Sequence, residues 1–133
     1  MQKGLFAGTI AGIVLGLSLK FMQALTGSKV YTLLLNVDFI PYMNQQWSEA
    51  TEFSFHLIIS LLIGMVLHIL ANRGWHPWQT AYLLTLPTIF LYFPLTVLAI
   101  KDVPAPNDWF AFSLWIIGHM LYAISLAYTY SKR

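Results

Sequence analysis

A stripe of polar and small residues runs along the second apolar segment, where the residues stand four apart: Glu52, His56, Ser60, Gly64 and His68. A four-residue step on an α-helix exceeds one full turn by only about 40°, so these residues share one slowly winding face. Carboxylate, imidazole and hydroxyl groups can pass protons or hold a cation, and histidine is the side chain best suited to proton transfer near neutral pH. Ionisable residues in a membrane span normally face the interior of a bundle, so this face is a candidate functional site.

A histidine in the last apolar segment is predicted to lie at a similar depth. His119 follows Gly118 in that segment. If its helix starts near Asp108, His119 lies about 16 Å below that end, whereas His56 lies about 10 Å below a helix start near Glu49. The two imidazoles are therefore expected to approach each other inside the protein.

Structural roles for several of these residues stay open. Glu49 and Glu52 suit the first turn of a helix, where the helix dipole favours carboxylates. His68 lies towards the other end of the same segment, where it can reach headgroups or a backbone carbonyl.

Three classes of function follow, in order of preference. In the first, Glu52, His56, Ser60 and His119 pass protons or bind a small cation in a transporter, channel or channel-like subunit. In the second, the polar residues form hydrogen bonds between helices of a non-catalytic membrane scaffold or accessory subunit. In the third, His56 and His119 are axial ligands of a b-type haem or part of a metal site. No cofactor is predicted beyond that pair.

Other classes of function lack their motifs. The sequence contains no HExxH motif, no phosphate-cradling glycine loop and no nucleophile–base set, so an enzyme is not favoured. Cysteine is absent, which excludes disulfides and cysteine-ligated clusters. With seven basic residues, no basic cluster and a net charge of +2, no nucleic-acid partner is predicted.

The composition indicates the elements that position these residues. Of the 133 residues 58% are hydrophobic and 9% are charged, and the apolar residues form four runs, at 4–25, 51–71, 78–100 and 109–130. Each run can cross about 30 Å of hydrocarbon. We therefore predict one all-α integral membrane domain over residues 1–133, a four-transmembrane-helix bundle in the lipid bilayer. The first run is too long and too rich in patterned glycine for a signal-peptide core, so we expect it to stay as a helix.

The first run carries a second stripe, made of Gly4, Gly8, Gly12 and Gly16, with Lys20 at the next four-residue interval. In a bilayer, small residues at this spacing mark faces where two helix backbones approach closely. The stripe is predicted to pack either against the protein's own helices or against a partner, which would be a second copy or another membrane subunit.

Residues 26–50 form the one long connection between the predicted helices. Gly27 suits the C-cap of the first helix. The following stretch, residues 30–40, is apolar but too short to span, and it ends at Pro41. We predict a short interfacial or re-entrant segment that caps one mouth of the bundle. Three aromatic residues are expected at headgroup depth: Tyr31, Tyr42 and Trp47.

The remaining connections are short. Pro77 is expected in the first turn of the third helix, because its missing amide hydrogen is not needed there. Asn107 is expected to be the N-cap of the fourth helix, with Asp108 favourable to the helix dipole.

Two prolines in the third helix, Pro87 and Pro94, are seven residues apart and lie close to one face, so their bends should add and act as a hinge. Each frees one carbonyl in the preceding turn, those of Leu83 and Phe90. Three nearby hydroxyl groups are expected to compensate: Thr85, Thr88 and Tyr92.

Orientation follows from the basic residues, which favour the cytoplasmic side. Four of them are predicted to lie on one side of the membrane: Lys3, Arg73, Lys132 and Arg133. The other side has three, Lys20, Lys29 and Lys101, together with all of the acidic residues. Both termini are therefore predicted to be cytoplasmic.

Several of these features together resemble the YagU-like family of small bacterial inner-membrane proteins. The resemblance rests on five local features: the glycine-rich first helix ending in Lys20, His56 with Ser60, Trp78-Gln79, Phe93-Pro94 and Gly118-His119. It implies a four-helix protein of the bacterial cytoplasmic membrane with a buried polar face, and no particular substrate. The chain departs from the family at Trp115, where an acidic residue is expected, and at Thr80, where a glycine is expected.

Overall fold

The computed structural model describes residues 1–38, 40 and 47–132. These residues form six helices and no strands, which confirms the all-α class. The helices are α1 (Gln2–Thr26), α2 (Val30–Leu35), α3 (Glu49–Asn72), α4 (Pro77–Phe90), α5 (Tyr92–Leu98) and α6 (Trp109–Lys132). Four stretches are long and apolar enough to cross a membrane: α1, α3, α4 continued by α5, and α6. Pro41, Tyr42 and Arg133, which entered the predictions above, lie outside the described residues.

The helices follow one another around the bundle in the order α3, α1, α6, α4. Helix α1 packs extensively against α3 on one side and α6 on the other, and α4 packs against α6. Contact between α3 and α4 is slight, so the ring of helices is nearly open there. We call the two ends of the bundle the α2 end, where α2 packs on α1 and α3, and the turn end, which holds the tight turn between α3 and α4. At the turn end, Lys3 Nζ lies 4.4 Å from the centre of the Tyr130 ring.

The contact between α1 and α3 changes along its length. At the turn end the backbones touch: a Cβ added to Gly4 would meet the carbonyl oxygen of Gly64, and one added to Gly8 would lie 2.6 Å from the carbonyl oxygen of Ser60. Because no side chain fits between them, the helices pack there backbone to backbone, as small residues allow.

Towards the α2 end the same seam is filled by side chains. A Cβ added to Gly12 would lie 2.9 Å from the Leu57 side chain, and one added to Gly16 would meet the ring of Phe53. The whole glycine stripe is therefore covered by α3 of the same chain, and the gap between the two backbones widens towards α2.

The helix ends follow the local signals in most cases. Gly27 ends α1 with φ 77°, and its N–H donates to the Gln23 carbonyl at 2.9 Å. Pro77 lies in the first turn of α4, as predicted. The N-cap of α6 is Asp108, whose carboxylate accepts from the Ala111 amide at 3.0 Å. The prediction of Asn107 as the cap was therefore wrong by one residue, since a side chain caps by reaching an amide three positions on.

The third span consists of two helices that meet at Leu91, between Pro87 and Pro94. Helix α4 ends at Phe90, α5 begins at Tyr92, and Leu91 joins them with its N–H donating to the Pro87 carbonyl at 3.0 Å. Hydrogen bonds of the α-helical kind continue on both sides of Leu91, and the bend and hinge predicted from the prolines stay predictions.

The hydroxyl groups that were expected to compensate for these prolines bond elsewhere. Thr85 donates to the Ala81 carbonyl at 2.7 Å and Thr88 to the Thr85 carbonyl at 2.5 Å. A threonine hydroxyl on a helix reaches a carbonyl three or four residues earlier in its own helix, which accounts for these bonds. Tyr92 is longer and donates to the Ala105 carbonyl at 2.9 Å in the next connection.

Candidate functional site

A cavity of about 450 Å³ lies in the half of the bundle nearest α2. It sits where α3 and α4 hardly touch, with α1 and α6 behind it and α2 above it. Aliphatic and aromatic side chains form most of its wall, among them Leu15, Phe55, Ile59, Leu91 and Trp115. The polar residues that line it are Asn36, Glu52, His56, Ser60, Thr88, His119 and Tyr122.

His56 is held against α1 by a backbone carbonyl. Its Nε2 lies 2.9 Å from the Gly12 oxygen, and because a carbonyl only accepts, Nε2 must carry the hydrogen. The ring also meets the Phe53 ring edge to face, with centroids 5.6 Å apart. A Cβ at position 12 would meet Leu57 and Ser60, so the absence of a side chain there lets α3 lie close to α1 beside His56.

Ser60 joins three helices one turn further along α3. Its Oγ donates to the Gly8 carbonyl at 2.6 Å and lies 3.0 Å from the hydroxyl of Tyr122 on α6. A serine hydroxyl has one hydrogen, so Tyr122 must be the donor to Ser60. Both side chains are almost fully buried.

His119 is buried against α6 itself, with 3% of its surface exposed. Its Nδ1 donates to the Trp115 carbonyl at 2.8 Å, and its ring packs on the Trp115 ring with centroids 4.4 Å apart. His56 and His119 therefore line one cavity from opposite helices. Within the described part of the chain no hydrogen bond joins the two rings directly.

Glu52 closes the α2 end of the cavity in an ion pair. Its carboxylate lies 2.7 Å from Lys101 Nζ, and its side chain is only 12% exposed. The backbone amide of Lys101 in turn donates to Asp38 at 2.8 Å, as that of Ile100 does at 3.2 Å. These bonds tie the connection after α2 to the connection after α5, across the mouth of the cavity.

Glu49 takes part in an exposed cluster beside this mouth. It accepts from Lys20 Nζ at 2.6 Å and from the Tyr31 hydroxyl at 2.8 Å. Burial of the phenol, followed by this hydrogen bond and the negative charge of Glu49, raises the pKa of Tyr31 above its ordinary value. Both Glu49 and Glu52 stand in the first turn of α3, where the dipole favours carboxylates.

His68 belongs to a separate cluster at the turn end. Its Nδ1 lies 3.0 Å from the Tyr130 hydroxyl and its Nε2 lies 3.0 Å from Asn72 Nδ2. It does not line the cavity, because Gly64 and its backbone contact with Gly4 lie between. The polar stripe read from the sequence is thus divided into a cavity part and a turn-end part.

The polar residues do not assemble into a metal centre in the described part of the chain. There, no three histidine, aspartate or glutamate side chains stand close enough together to hold a metal ion. The atoms left over at the predicted ligand pair are Nδ1 of His56 and Nε2 of His119, since the other nitrogen of each ring is bonded to a carbonyl. We therefore build no metal or haem proposal on this pair.

Four members of the site were missed in the sequence: Tyr122, Asn36, Asp38 and Lys101. Tyr122 stands three residues after His119, so it shares that helix face, and this spacing is a signal that would have found it. Asn36 and Asp38 are polar residues in an otherwise apolar stretch, which is also a readable signal. The pairing of Lys101 with Glu52 depends on how the connections pack, and no local pattern indicates it.

Comparison with known proteins gives no relative for this arrangement, because no family model, curated protein or solved structure matches the chain. The resemblance to the YagU-like family stays a prediction.

Proposed function

We propose that this chain is an integral membrane protein that takes a small, largely apolar molecule from the bilayer into the cavity at its α2 end. The observation that carries the proposal is the cavity itself: about 450 Å³ of space behind the gap between α3 and α4, with polar groups at its back. Ligand cavities in proteins are typically about 300–1,000 Å³ and mainly apolar, with a few polar groups that fix orientation.

In the described part of the chain, local contacts narrow the access to this cavity at both ends of the bundle. At the turn end the backbone contact of Gly4 with Gly64 leaves no channel along α1 and α3. At the α2 end the mouth is crossed by Asp38, Lys101 and Glu52, which are joined by short hydrogen bonds. Among the described residues, the slight contact between α3 and α4 leaves a way in from the side, where side chains such as Ile59 and Leu91 are about half exposed. Entry from the lipid follows from this geometry.

The membrane arrangement that we propose keeps the predictions from the sequence. Helix α2 lies at the membrane interface, both termini are cytoplasmic, and the membrane is the bacterial cytoplasmic membrane. The basic residues and the resemblance to the YagU-like family support this arrangement.

Proton or small-ion transport is a second candidate, because one carboxylate and two imidazoles line the same cavity: Glu52, His56 and His119. A transporter with this site would lose proton flux in vesicles when His56 is changed to alanine. The backbone contact between Gly4 and Gly64 at the turn end favours a binding cavity over an open channel. A scaffold that assembles through the glycine stripe is less favoured, because α3 of the same chain covers that stripe.

Photolabelling in lipid vesicles tests the proposed cavity. The probe is an alkyl diazirine without hydroxyl or amine groups, and the labelled residues are located by mass spectrometry. We expect labels to concentrate on cavity residues of α3, α4 and α6, at probe levels well below those that label the lipid-facing surface evenly.

Two tryptophan substitutions on α3 provide the matched pair. Ile59 and Leu62 are 56% and 52% exposed, but only Ile59 lines the cavity. Ile59→Trp should fill the entrance and remove the concentrated labelling, whereas Leu62→Trp should leave it unchanged. Even labelling of all lipid-facing residues in the wild type, or equal effects of the two variants, would contradict the proposal.

A further inference from the structure

We infer that the molecule bound in this cavity carries a neutral hydrogen-bond donor, a hydroxyl on an aromatic ring as in an alkylphenol or a quinol. The inference rests on the proposed function and names the class of ligand for the same site. It comes from a count of which polar atoms around the cavity have already used their hydrogens.

Each histidine has used its one hydrogen on a backbone carbonyl. His56 donates from Nε2 to Gly12, and His119 donates from Nδ1 to Trp115. A neutral imidazole with one protonated nitrogen has an acceptor at the other. Nδ1 of His56 and Nε2 of His119 are therefore acceptors on rings that line the cavity, and neither has a partner in the part of the chain that the structure describes.

The two hydroxyl groups at the back of the cavity are used in the same way. Ser60 donates to the Gly8 carbonyl, and Tyr122 donates to Ser60. The Tyr122 oxygen keeps a lone pair and has no further hydrogen to give. A ligand that offers only acceptors, such as a ketone or an ether, would find no donor on these four side chains, whereas a ligand with a hydroxyl hydrogen would find several acceptors.

The charges around the cavity favour a neutral donor over an ammonium group. Glu52 is already paired with Lys101 at 2.7 Å, so its charge is compensated. A cation bound beside the histidines would be a buried charge without a partner, which is costly in an apolar environment. A hydroxyl group satisfies the same acceptors without that cost.

The walls of the cavity and one buried side-chain amide favour a ligand that has an aromatic ring and a second oxygen. Trp115 and Phe55 give the cavity aromatic surfaces on which a ring can pack. Near α2, Nδ2 of Asn36 is buried and has no hydrogen-bond partner, although the Asn36 oxygen accepts from the Asp38 amide at 3.3 Å. A quinol or an oxygen-substituted phenol has an oxygen that Asn36 can bond, in addition to the hydroxyl that the histidines accept.

A pair of competitors that differ in one hydrogen-bond donor tests the inference. 4-Octylphenol and 4-octylanisole have nearly the same shape, but the methyl ether of the second has no hydrogen to donate. Each is titrated against the alkyl diazirine in vesicles, with its amount expressed per lipid so that partitioning does not enter the comparison. We expect the phenol to displace the probe at about tenfold lower content than the anisole, which is the effect of one hydrogen bond of ordinary net strength.

Histidine variants connect that preference to the site. His119→Phe and His56→Phe keep a ring and remove the acceptor, so each should reduce the preference for the phenol several-fold. His68→Phe is the matched control, because His68 lies outside the cavity, and it should keep the full preference. Variants that still take up the diazirine probe retain the cavity, so a loss of preference in them is not a loss of fold.

The outcomes separate the two proposals. If phenol and anisole displace the probe equally well from the wild type, the cavity binds apolar molecules and the inference about the donor is wrong. A preference that survives both cavity substitutions overturns the inference as well. If the diazirine does not label the cavity in the first place, the proposed function fails, and the inference fails with it.

Discussion

The two halves of the α1–α3 seam are built from the same four-residue repeat and give opposite results. At the turn end Gly4 and Gly64 bring the two backbones into direct contact and leave no space. At the α2 end Gly16 faces the Phe53 ring, the helices are further apart, and a cavity of about 450 Å³ lies beside them. The half with the smaller side chains on α3 is closed, and the half with the larger ones is open.

The size of the side chains on α3 explains why one half of the seam is closed and the other is open. The side chains of the α3 stripe grow from Gly64 through Ser60 to His56, so the helices separate in steps towards α2. Backbone contact at one end gains dispersion and excludes lipid. The backbone contact at the turn end also sets the angle at which α1 and α3 diverge towards the α2 end. We call the half of the seam at the turn end the tight half and the half at the α2 end the open half. The tight half therefore positions the open half, and a substitution should have different effects in each.

The largest effect is expected where a methyl group is added to the tight half. A Cβ at position 64 would meet the Gly4 carbonyl and lie 3.1 Å from Gly8 Cα, and backbone atoms cannot move aside without shifting a helix. Gly64→Ala should lower the free energy of unfolding by about 3 kcal/mol or more, at the upper end for overpacking. Unfolding in mixed micelles, followed by circular dichroism, measures this.

The matched substitution in the open half is Gly16→Ala, whose Cβ meets only the far end of the Phe53 ring. Because that ring can rotate, and alanine favours helix over glycine, the cost should be about 1 kcal/mol or less. Equal costs for the two substitutions would show that the seam does not differ between its halves.

A tryptophan introduced on α3 should also cost more stability in the tight half than in the open half. Leu67 is fully buried in the tight half, whereas Ile63, one turn away, is partly buried and lines the cavity. Leu67→Trp should cost about 2 kcal/mol because the core there has no free volume. Ile63→Trp should change stability by less than about 0.5 kcal/mol because the indole can enter the cavity.

Thermal unfolding of the two tryptophan variants, each compared with the wild type in the same detergent, checks this prediction. A cost for Ile63→Trp as large as that for Leu67→Trp would mean that the cavity is not available to a side chain.

A smaller effect is expected at the α2 end, where Asp38 joins two connections. Asp38 is 7% exposed and accepts from the amides of Ile100 and Lys101. Asp38→Asn keeps the shape but removes the charge, and bonds to a charged acceptor are about twice as strong as neutral ones. Hydrogen exchange of those two amides should become about tenfold faster, a change of about 1.4 kcal/mol.

Asp102→Asn is the control for that measurement. The side chain of Asp102 is 84% exposed and pairs with Lys29 on the surface, where ion pairs contribute little. Exchange at residues 100 and 101 should be nearly unchanged in this variant. Faster exchange in both variants would indicate that surface charge in general, and not Asp38, holds the connection.

The sequence alone predicted the helices of the bundle and the face on which α1 packs. The length and apolarity of the four spans, the glycine stripe as a packing face and the cap at Gly27 depend on local patterns, and the structure has all of them. His56 and His119 both line the cavity, whereas their predicted approach to each other stays a prediction.

The rest depended on distances between segments that a local pattern does not contain. The stripe gave no sign that contact at Gly64 would separate His68 from His56. The prolines indicated a bend but not that Leu91 would divide the span in two. The ion pair of Glu52 with Lys101 joins residues 49 positions apart, and it forms only because the two connections meet over the cavity.

The smallest effect is expected from the ionisation of Tyr31, which lies in α2 at the open half, as the pH becomes alkaline. The pKa of Tyr31 is raised by burial and by Glu49, so this phenol resists ionisation in the folded protein more than in the unfolded chain. Its contribution to stability is therefore complete below the ordinary tyrosine pKa of about 10 and is lost as the pH rises above that value. Absorbance near 295 nm should show one late-titrating tyrosine fewer in the Tyr31→Phe variant than in the wild type. Above that pH the amides of α2 should exchange faster, while those around Gly64 stay protected. Loss of protection in both halves at the same pH would mean that the tight half depends on the α2 end, and that the tight half does not position the open half.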